Sequence, residues 1–226
     1  SKQGIDDMKK AVIFDIDGTL LNTLDDLADS MNYALEKHGL PTYETQAYKY
    51  FVGNGMSVLA TRVLPADMRD NEQIHSALLR TFLDRYAEHS LDKTKPYSGI
   101  RELLSSLSKS GVKIAVLTNK AQPAATKVIS HFFPDTFDLV VGQSETVKTK
   151  PDPSGVRMVM NMLGVDRDDC LFVGDSSVDM QTAKNAEIES VGVLWGFRTE
   201  EELKESGACH IADKIQDIID IAIKEN

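Results

Sequence analysis

The sequence predicts a doubly wound, three-layer α/β fold: a Rossmann-like parallel sheet with helices on both faces and an α-helical cap domain inserted near its start. Three observations support this prediction. A short apolar run at 11–16 comes first, and the stretch 22–90 has helical character throughout. From Gly99 onward, apolar runs alternate with amphipathic stretches, as in βαβ units. The apolar runs are nearly continuous, which is typical of strands buried on both faces of a parallel sheet.

The predicted cap comprises residues 22–90 and interrupts a core formed by residues 9–21 and 91–226. Apolar residues recur at helical spacing over 24–35. A second helical stripe has its apolar residues four positions apart: Ile74, Leu78, Phe82 and Tyr86.

The first cap helix is predicted to begin with a capping box, in which two side chains satisfy backbone N–H groups at the helix N-terminus. Thr23 and, three residues later, Asp26 are its candidate residues. Gly39 and Pro41 are typical of the end of such a helix.

The core is predicted to alternate strands and helices after the cap. Right-handed crossovers would join the strands into one sheet. The predicted strands are 112–117, 137–141, 170–173, 190–194 and 209–212. The predicted helices are 100–110, 123–132, 154–163, 178–186 and a last one from Lys214. Residues 1–10 are polar, and Met8 is a candidate native start, so this stretch is left out of the prediction.

The composition excludes several classes of protein. The net charge is -10, with 35 acidic against 25 basic residues, which argues against a nucleic-acid partner. Cys170 and Cys209 form no paired motif, and no secretory signal is recognisable, so we expect a cytoplasmic protein without disulfides. The five histidines form no zinc-type cluster. No apolar run approaches the roughly 20 residues that span a bilayer, so we expect no membrane partner.

Polar residues follow four of the predicted strands at their carboxyl ends. Ligands bind at this edge of an open parallel sheet, so we expect these side chains to converge there. Acids, a hydroxyl, an amide and a lysine together indicate a site for phosphate and a metal ion. In chain order the residues are Asp15, Asp17, Gly18, Thr118, Asn119, Lys150, Asp175 and Asp179.

Each of these residues also has an ordinary structural explanation. The Asp-x-Asp-Gly sequence occurs in turns and opens calcium loops, but Leu20 and Leu21 interrupt the further acids that a calcium loop needs. Thr118, Asn119 and Asp175 are candidate helix caps, and a lone lysine is most often exposed. Their coincidence at four strand ends favours the functional interpretation.

These residues carry a resemblance to the haloacid dehalogenase superfamily. Its four motifs match DIDGTL at 15–20, the Thr118-Asn119 pair, Lys150, and GDSSVD at 174–179. The stretch from DIDGTL to HGLP, with the Val-Gly-Asn-Gly segment at 52–55, is similar to the phosphoglycolate phosphatase branch. The resemblance implies a Mg²⁺-dependent phosphatase acting on a small phosphorylated metabolite.

The matched residues have chemically distinct expected roles. Asp15 would attack phosphorus and form an aspartyl-phosphate, while Asp17 would serve as the general acid and base. Gly18 allows a sharp turn. Mg²⁺ would be held by Asp15, Asp17 (also through its carbonyl), Asp175 and Asp179. Lys150 would pair with the phosphate and Asp15, and Thr118 and Asn119 would hold its non-bridging oxygens.

The substrate that the resemblance implies is 2-phosphoglycolate. A cap loop around Gly55 and the cation Arg62 are the candidate cap residues for substrate binding. The alternatives are a pyrophosphatase, a sugar-phosphate phosphatase, a phosphomutase like β-phosphoglucomutase, and a non-catalytic phospho-aspartate signalling module. A haloacid dehalogenase is a further alternative, but such enzymes normally lack the second acid, Asp17.

Overall fold

The computed structural model describes residues 8–223. Residues 1–7, most of the polar segment left out of the sequence prediction, lie outside the described residues. The strands are β1 (Ala11–Phe14), β2 (Leu21–Asn22), β3 (Lys95–Pro96), β4 (Lys113–Ala121), β5 (Leu139–Gln143), β6 (Cys170–Gly174), β7 (Glu189–Val193) and β8 (His210–Ala212). The helices are α1 (Leu24–Lys37), α2 (Met56–Val63), α3 (Glu72–His89), α4 (Ile100–Lys109), α5 (Gln122–Phe132), α6 (Ser154–Leu163), α7 (Ser177–Asn185), α8 (Glu200–Glu205) and α9 (Ile215–Ala222). Short 3₁₀ turns occur at Thr45–Tyr50, Ala66–Met68 and Arg167–Asp169.

Six strands form one parallel sheet in the order β5-β4-β1-β6-β7-β8. The first strand lies at its centre, with Phe14 paired to Val116 on one side and to Val173 on the other. The predicted doubly wound α/β fold is therefore confirmed. The carboxyl ends of β1, β4 and β6 are adjacent, so residues far apart in the chain meet at one edge.

Two apolar layers enclose this sheet. Val12 and Phe14 belong to the cluster that includes residues of α4, α5 and α9, whereas Ala11 and Ile13 belong to the cluster with residues of α6 and α7. Successive side chains of a strand point to opposite faces, so a strand covered on both faces needs apolar residues at every position. This explains the continuous apolar run at the start of the chain.

The helical module after β1 has an apolar cluster of its own. Leu27 and Met31 of α1 pack with Leu59 of α2 and Phe82 of α3. The Phe82 and Tyr86 rings stack with their centroids 5.7 Å apart. The inserted α-helical cap is thus present, and its exact boundaries, 22–90 within a core of 9–21 and 91–226, stay a prediction.

The predicted capping box at the start of α1 is wrong. Thr23 donates its hydroxyl to Asp17 Oδ1 at 2.7 Å, and the structure gives α1 no side-chain cap bond. Asp26 is buried and accepts from the Lys93 and Thr94 backbone N–H groups and from the Thr94 hydroxyl. Other partners have replaced the local ones, because Thr23 and Asp26 lie where the two ends of the cap meet the core. Strands β2 and β3 form an antiparallel pair there, with Leu21 opposite Pro96.

Two further differences concern the core. The strand predicted at 112–117 continues to Ala121, and a bulge separates its pairing with β5 at Leu117 from that at Ala121. Helix α8 was not predicted, because its sequence EEELKE buries only Leu203 and shows no apolar stripe. Among the described residues, no helix is both long and apolar enough to cross a membrane.

Candidate active site

The first motif begins where β1 ends. Asp15 is 7% exposed, and its backbone N–H donates to Val173 O of β6 at 3.1 Å, which fixes it at the sheet edge. Its Oδ1 accepts from the Ile16 N–H at 2.7 Å. Gly18 then turns the chain with φ of 81°, and a Cβ there would lie 2.1 Å from Asp175 Oδ2. The predicted sharp turn at Gly18 is therefore also a close approach between the first and fourth motifs.

The fourth motif follows β6 and begins α7 with a capping box. Asp179 Oδ2 accepts from the Asp175 N–H at 3.1 Å and from the Ser176 hydroxyl at 3.1 Å. Asp175 is 3% exposed, and its Oδ2 accepts from the Phe197 N–H at 2.9 Å. These hydrogen bonds at the start of α7 hold Asp175 and Asp179 in the interior, facing the end of β1.

Lys150 joins the first and fourth motifs. Its ammonium lies 2.6 Å from Asp179 Oδ1 and 3.2 Å from Asp15 Oδ2, and its side chain is 2% exposed. Burial alone would lower the pKa of Lys150, but Asp15 and Asp179 raise that pKa above its usual value. The lysine is therefore a permanent buried cation beside the carboxylate predicted to be the nucleophile.

The second motif positions Lys150 through Asn119. Asn119 Oδ1 accepts from the Lys150 N–H at 2.7 Å, and its Nδ2 donates to Lys150 O at 3.2 Å and to Gly53 O at 3.1 Å. The Thr118 hydroxyl oxygen accepts from the Lys120 N–H at 3.1 Å, so its proton remains available to a ligand. Both residues line the cavity, but the Asn119 amide already binds the backbone on either side of it.

Lys120 is a site residue that the sequence interpretation missed. Its side chain is fully buried, with Nζ 3.3 Å from Asp17 Oδ1 and 2.6 Å from the Tyr86 hydroxyl. The signal available was its position directly after the Thr118-Asn119 pair. The predicted strand ends at 117 and the next predicted helix begins at 123, so Lys120 lies between predicted elements, whereas the structure places it in β4.

Three carboxylates form a group suited to a metal ion. Oxygen atoms of Asp15, Asp175 and Asp179 all lie within 4.8 Å of one another, and all three residues are buried. Burial first, and then the Asp179 charge, raise the pKa of Asp15 from 3.8 to about 7. The same two causes raise the pKa of Asp175 well above its usual value.

The charges of the whole site indicate what this group lacks. The carboxylates of these three acids and of Asp17 face two ammonium groups, Lys120 and Lys150, so two negative charges remain uncompensated in the ionised state. A divalent cation with a preference for oxygen would balance them. The donor set therefore fits Mg²⁺ in charge and in ligand type.

The Asp17 carboxylate is not part of that group. Its Oδ1 accepts from both Thr23 and Lys120, so among the described contacts its Oδ2 and its main-chain carbonyl remain as candidates for a ligand or a metal. Both Asp179 oxygens already accept from protein donors, which favours contact with a metal through water. Whether Asp17 and Asp179 are ligands stays a prediction.

The cap loop lies over the same site. A cavity, about 350 Å³ including its open mouth, is lined from the core by Asp15, Asp17, Thr118, Asn119 and Lys120 and from the cap by Val52, Gly53, Gly55, Met56 and Leu59. Gly55 has φ of 92°, which favours glycine there. Gly55 therefore lines the cavity, and its contact with substrate stays a prediction.

Arg62 supports this loop from the cap. Its guanidinium donates to Phe51 O at 3.2 Å and to Asn54 Oδ1 at 2.9 Å. Burial, together with the nearby Arg198, lowers the pKa of Arg62. In this conformation Arg62 binds the loop that covers the site, and its predicted contact with substrate stays a prediction.

A capped parallel sheet here gathers a buried nucleophile candidate, a second acid, two lysines and a metal-type carboxylate group, which are the residue types that a phosphatase, a hydrolase of phosphoric monoesters, needs. The chain belongs to the haloacid dehalogenase-like hydrolases. The model of that family matches residues 12–193.

Known proteins resemble the chain over most of its length. A phosphoglycolate phosphatase from Pseudomonas putida is 36% identical over 195 residues, which is 84% of this chain and 71% of that protein. An N-acetylmuramic acid 6-phosphate phosphatase from Pseudomonas aeruginosa is 30% identical over 214 residues, covering 94% of each chain. The crystal structure of a protein provisionally named phosphoglycolate phosphatase, from Lactobacillus delbrueckii subsp. bulgaricus, superposes with a TM-score of 0.92 at 34% identity, covering 96% of this chain and all of that one.

Proposed function

We propose that the protein hydrolyses 2-phosphoglycolate to glycolate and phosphate through an aspartyl-phosphate on Asp15. The observation that carries the proposal is the buried contact of Lys150 with both Asp15 and Asp179, which Asn119 links to Gly53 of the cap loop. The relative and the solved structure named as phosphoglycolate phosphatases support this choice of substrate.

The first half of the reaction belongs to Asp15 and Asp17. A carboxylate oxygen of Asp15 forms a bond to phosphorus while the bond from phosphorus to the glycolate oxygen breaks. Asp17 donates a proton to that leaving oxygen, so glycolate departs with a neutral hydroxyl. Within the described part of the chain, Thr23 and Lys120 both donate to Asp17 Oδ1, which leaves Oδ2 for the substrate.

The second half returns the enzyme to its starting state. Asp17 takes a proton from water, whose oxygen attacks phosphorus and breaks the bond to the Asp15 carboxylate. Lys150 stays within reach of the Asp15 oxygen and the transferring group in both halves. Thr118 donates its free hydroxyl proton to a non-bridging oxygen.

Mg²⁺ would be held by the carboxylates of Asp15 and Asp175, with the Asp17 carbonyl and a water on Asp179 as further ligands. It would supply positive charge to the phosphate and offset its repulsion by the acids. Asp179 would hold the Lys150 ammonium in place.

The cavity supports a small substrate. The space that water-sized molecules can occupy in it is only about 20 Å³, well below the usual range for ligand sites, which favours a small substrate. Val52, Met56 and Leu59 make its cap side largely apolar, and the glycine loop leaves little room above the core.

We also propose a cytoplasmic location, supported by two free cysteines, Cys170 and Cys209.

A phosphate-release screen tests the substrate. We expect 2-phosphoglycolate to give a higher kcat/KM than pyrophosphate, glucose 6-phosphate and N-acetylmuramic acid 6-phosphate, with Asp15→Asn as the inactive control. A higher kcat/KM for any of the other three would replace the proposed substrate. Conversion of β-glucose 1-phosphate to glucose 6-phosphate without free phosphate would indicate a phosphomutase instead. No phosphate release from any compound would favour a signalling module.

A further inference from the structure

Lys120 is a cavity-lining residue whose charge is buried. Its Nζ lies 3.3 Å from Asp17 Oδ1 and 2.6 Å from the Tyr86 hydroxyl, and its side chain is fully buried. Of the described residues that line the cavity, Lys120 alone is a cation. The reaction steps described above use Lys120 only as a donor to Asp17 Oδ1, and they give its charge no contact with the substrate.

The Lys120 ammonium is charged and has a donor to spare. Burial alone would lower the pKa of Lys120, but Asp17 and then Tyr86 raise that pKa above its usual value. An ammonium carries three protons, and the contacts with Asp17 and Tyr86 occupy two of them. One donor therefore remains for a ligand in a cavity whose cap side is apolar, where an anion gains most from a nearby cation.

The two lysines lie on different sides of the reaction. Lys150 contacts Asp15, the proposed nucleophile, whereas Lys120 contacts Asp17, the proposed donor to the leaving oxygen. The attacking and leaving oxygens are roughly in line across phosphorus, so Lys120 is beside the leaving group. In 2-phosphoglycolate a single methylene separates the bridging oxygen from the carboxylate, so that carboxylate is delivered to the neighbourhood of Asp17.

Two other cations near the cavity are already engaged by the cap. Arg62 donates to Phe51 O and Asn54 Oδ1. Arg198 pairs with Glu202 and donates to the main-chain oxygens of Tyr50 and Val52. Both arginines thus hold the segment at 50–54 over the site, although the buried Arg198 Nε has no hydrogen-bond partner among the described residues.

We propose that Lys120 is the specificity residue that binds the carboxylate of a phosphorylated 2-hydroxy acid, with Tyr86 of the cap holding the ammonium in place. This inference rests on the proposed function, because it requires a substrate that carries a carboxylate next to its phosphate ester. It also gives cap closure a role in selection, since Tyr86 belongs to α3 and Lys120 to β4.

The test compares 2-phosphoglycolate with ethyl phosphate, in which a methyl group replaces the carboxylate. The measured quantity is the ratio of the two kcat/KM values, because a general loss of activity cancels in it. Wild type should favour 2-phosphoglycolate, and Lys120→Met should lower the ratio by at least about tenfold, as expected for loss of a charged hydrogen bond. Tyr86→Phe keeps the ammonium but frees it, so its ratio should fall by less.

Two further variants keep the outcome decisive. Lys120→Gln removes the charge but retains an N–H donor for Asp17, and it should also lose the preference for 2-phosphoglycolate. It takes the place of Lys120→Met in the test if that variant does not fold. Arg62→Met tests the competing cation, and its ratio should stay at the wild-type value.

The possible failures are distinguishable. A wild-type preference that both Lys120 variants keep, or one that Arg62→Met alone abolishes, would overturn the role of Lys120 while leaving the proposed function intact. A wild type without any preference for 2-phosphoglycolate would overturn the proposed function and this inference together.

Discussion

The ammonium of Lys150 lies 2.6 Å from Oδ1 of Asp179, a carboxylate whose Oδ2 closes the capping box of α7. The start of a helix thus fixes a lysine, and that lysine in turn contacts the Asp15 carboxylate at 3.2 Å. The relationship suggests that Asp179 acts mainly through Lys150.

Asp179→Asn should lower kcat by about 10- to 100-fold, the usual cost of losing a residue that orients a direct contact. The loss should persist at saturating Mg²⁺, because it arises from a misplaced Lys150. Activity measured against Mg²⁺ concentration checks this. Full recovery at high Mg²⁺ would instead identify Asp179 as a direct metal ligand.

Gly18→Ala should abolish most activity and lower the free energy of unfolding by about 1–3 kcal/mol. The new Cβ would lie 2.1 Å from Asp175 Oδ2, at a φ of 81° that favours glycine. Thermal unfolding and phosphate release measure the two effects. Gly39→Ala is the matched control: its φ is 67°, but no atom lies within 4 Å of the new Cβ, so it should cost about 1 kcal/mol and leave activity intact. Equal losses of activity in both variants would refute the close approach as the cause.

Asn119→Ala should lower kcat/KM by about tenfold or more, because it removes the three hydrogen bonds that tie Lys150 and the Gly53 carbonyl together. Asn185→Ala removes an exposed amide that donates to Pro151 O in the segment following Lys150, so it serves as the control and should keep activity. Wild-type kinetics in Asn119→Ala would show that Lys150 needs no such support.

Removing Mg²⁺ should destabilise the protein more at high pH than at low pH. The pKa of Asp15 in the folded protein is about 7, above its usual 3.8. In the metal-free protein, protonated Asp15 therefore contributes its full share of stability below about pH 4, and this contribution is lost as the pH rises through 7. Bound Mg²⁺ favours the ionised carboxylate. Saturating Mg²⁺ should therefore raise Tm by about 5–10 °C at pH 8 and by clearly less at pH 5.5.

Differential scanning calorimetry with and without a chelator measures this effect. Asp15→Asn is the control, because it removes the group whose proton competes with the metal, and the difference between the two pH values should shrink. An equal Mg²⁺ effect at both pH values in wild type would contradict the assignment of Asp15 to the metal site.

Local sequence was sufficient to predict the residues that directly follow buried strands. Asp15 and Asp175 were found because each ends an apolar run, and parallel strands bring their carboxyl ends together. Lys150 was predicted because it follows a core strand beyond a loop, and the motif resemblance then matched the same residue. The fold class was predicted from the same apolar runs, since a strand that is buried on both faces of a sheet needs apolar residues at nearly every position.

The features that sequence did not reveal depend on partners distant in the chain. The Thr23 and Asp26 spacing fits a capping box, yet their partners Asp17, Lys93 and Thr94 give longer-range contacts that satisfy them better. Lys120 was missed because lysines are usually exposed, and its burial depends on Asp17 and on a tyrosine of the cap. The Tyr86 stripe position predicts a core residue but gives no sign of its hydroxyl contact.

The most direct test of the covalent mechanism is to quench the enzyme during turnover of 2-phosphoglycolate that carries a radiolabel in its phosphate group, and to map the labelled peptide. We expect base-labile phosphate on Asp15 and neither label nor turnover in Asp15→Asn. Turnover without any labelled protein, label on another residue, or substantial activity of Asp15→Asn would contradict Asp15 as the nucleophile.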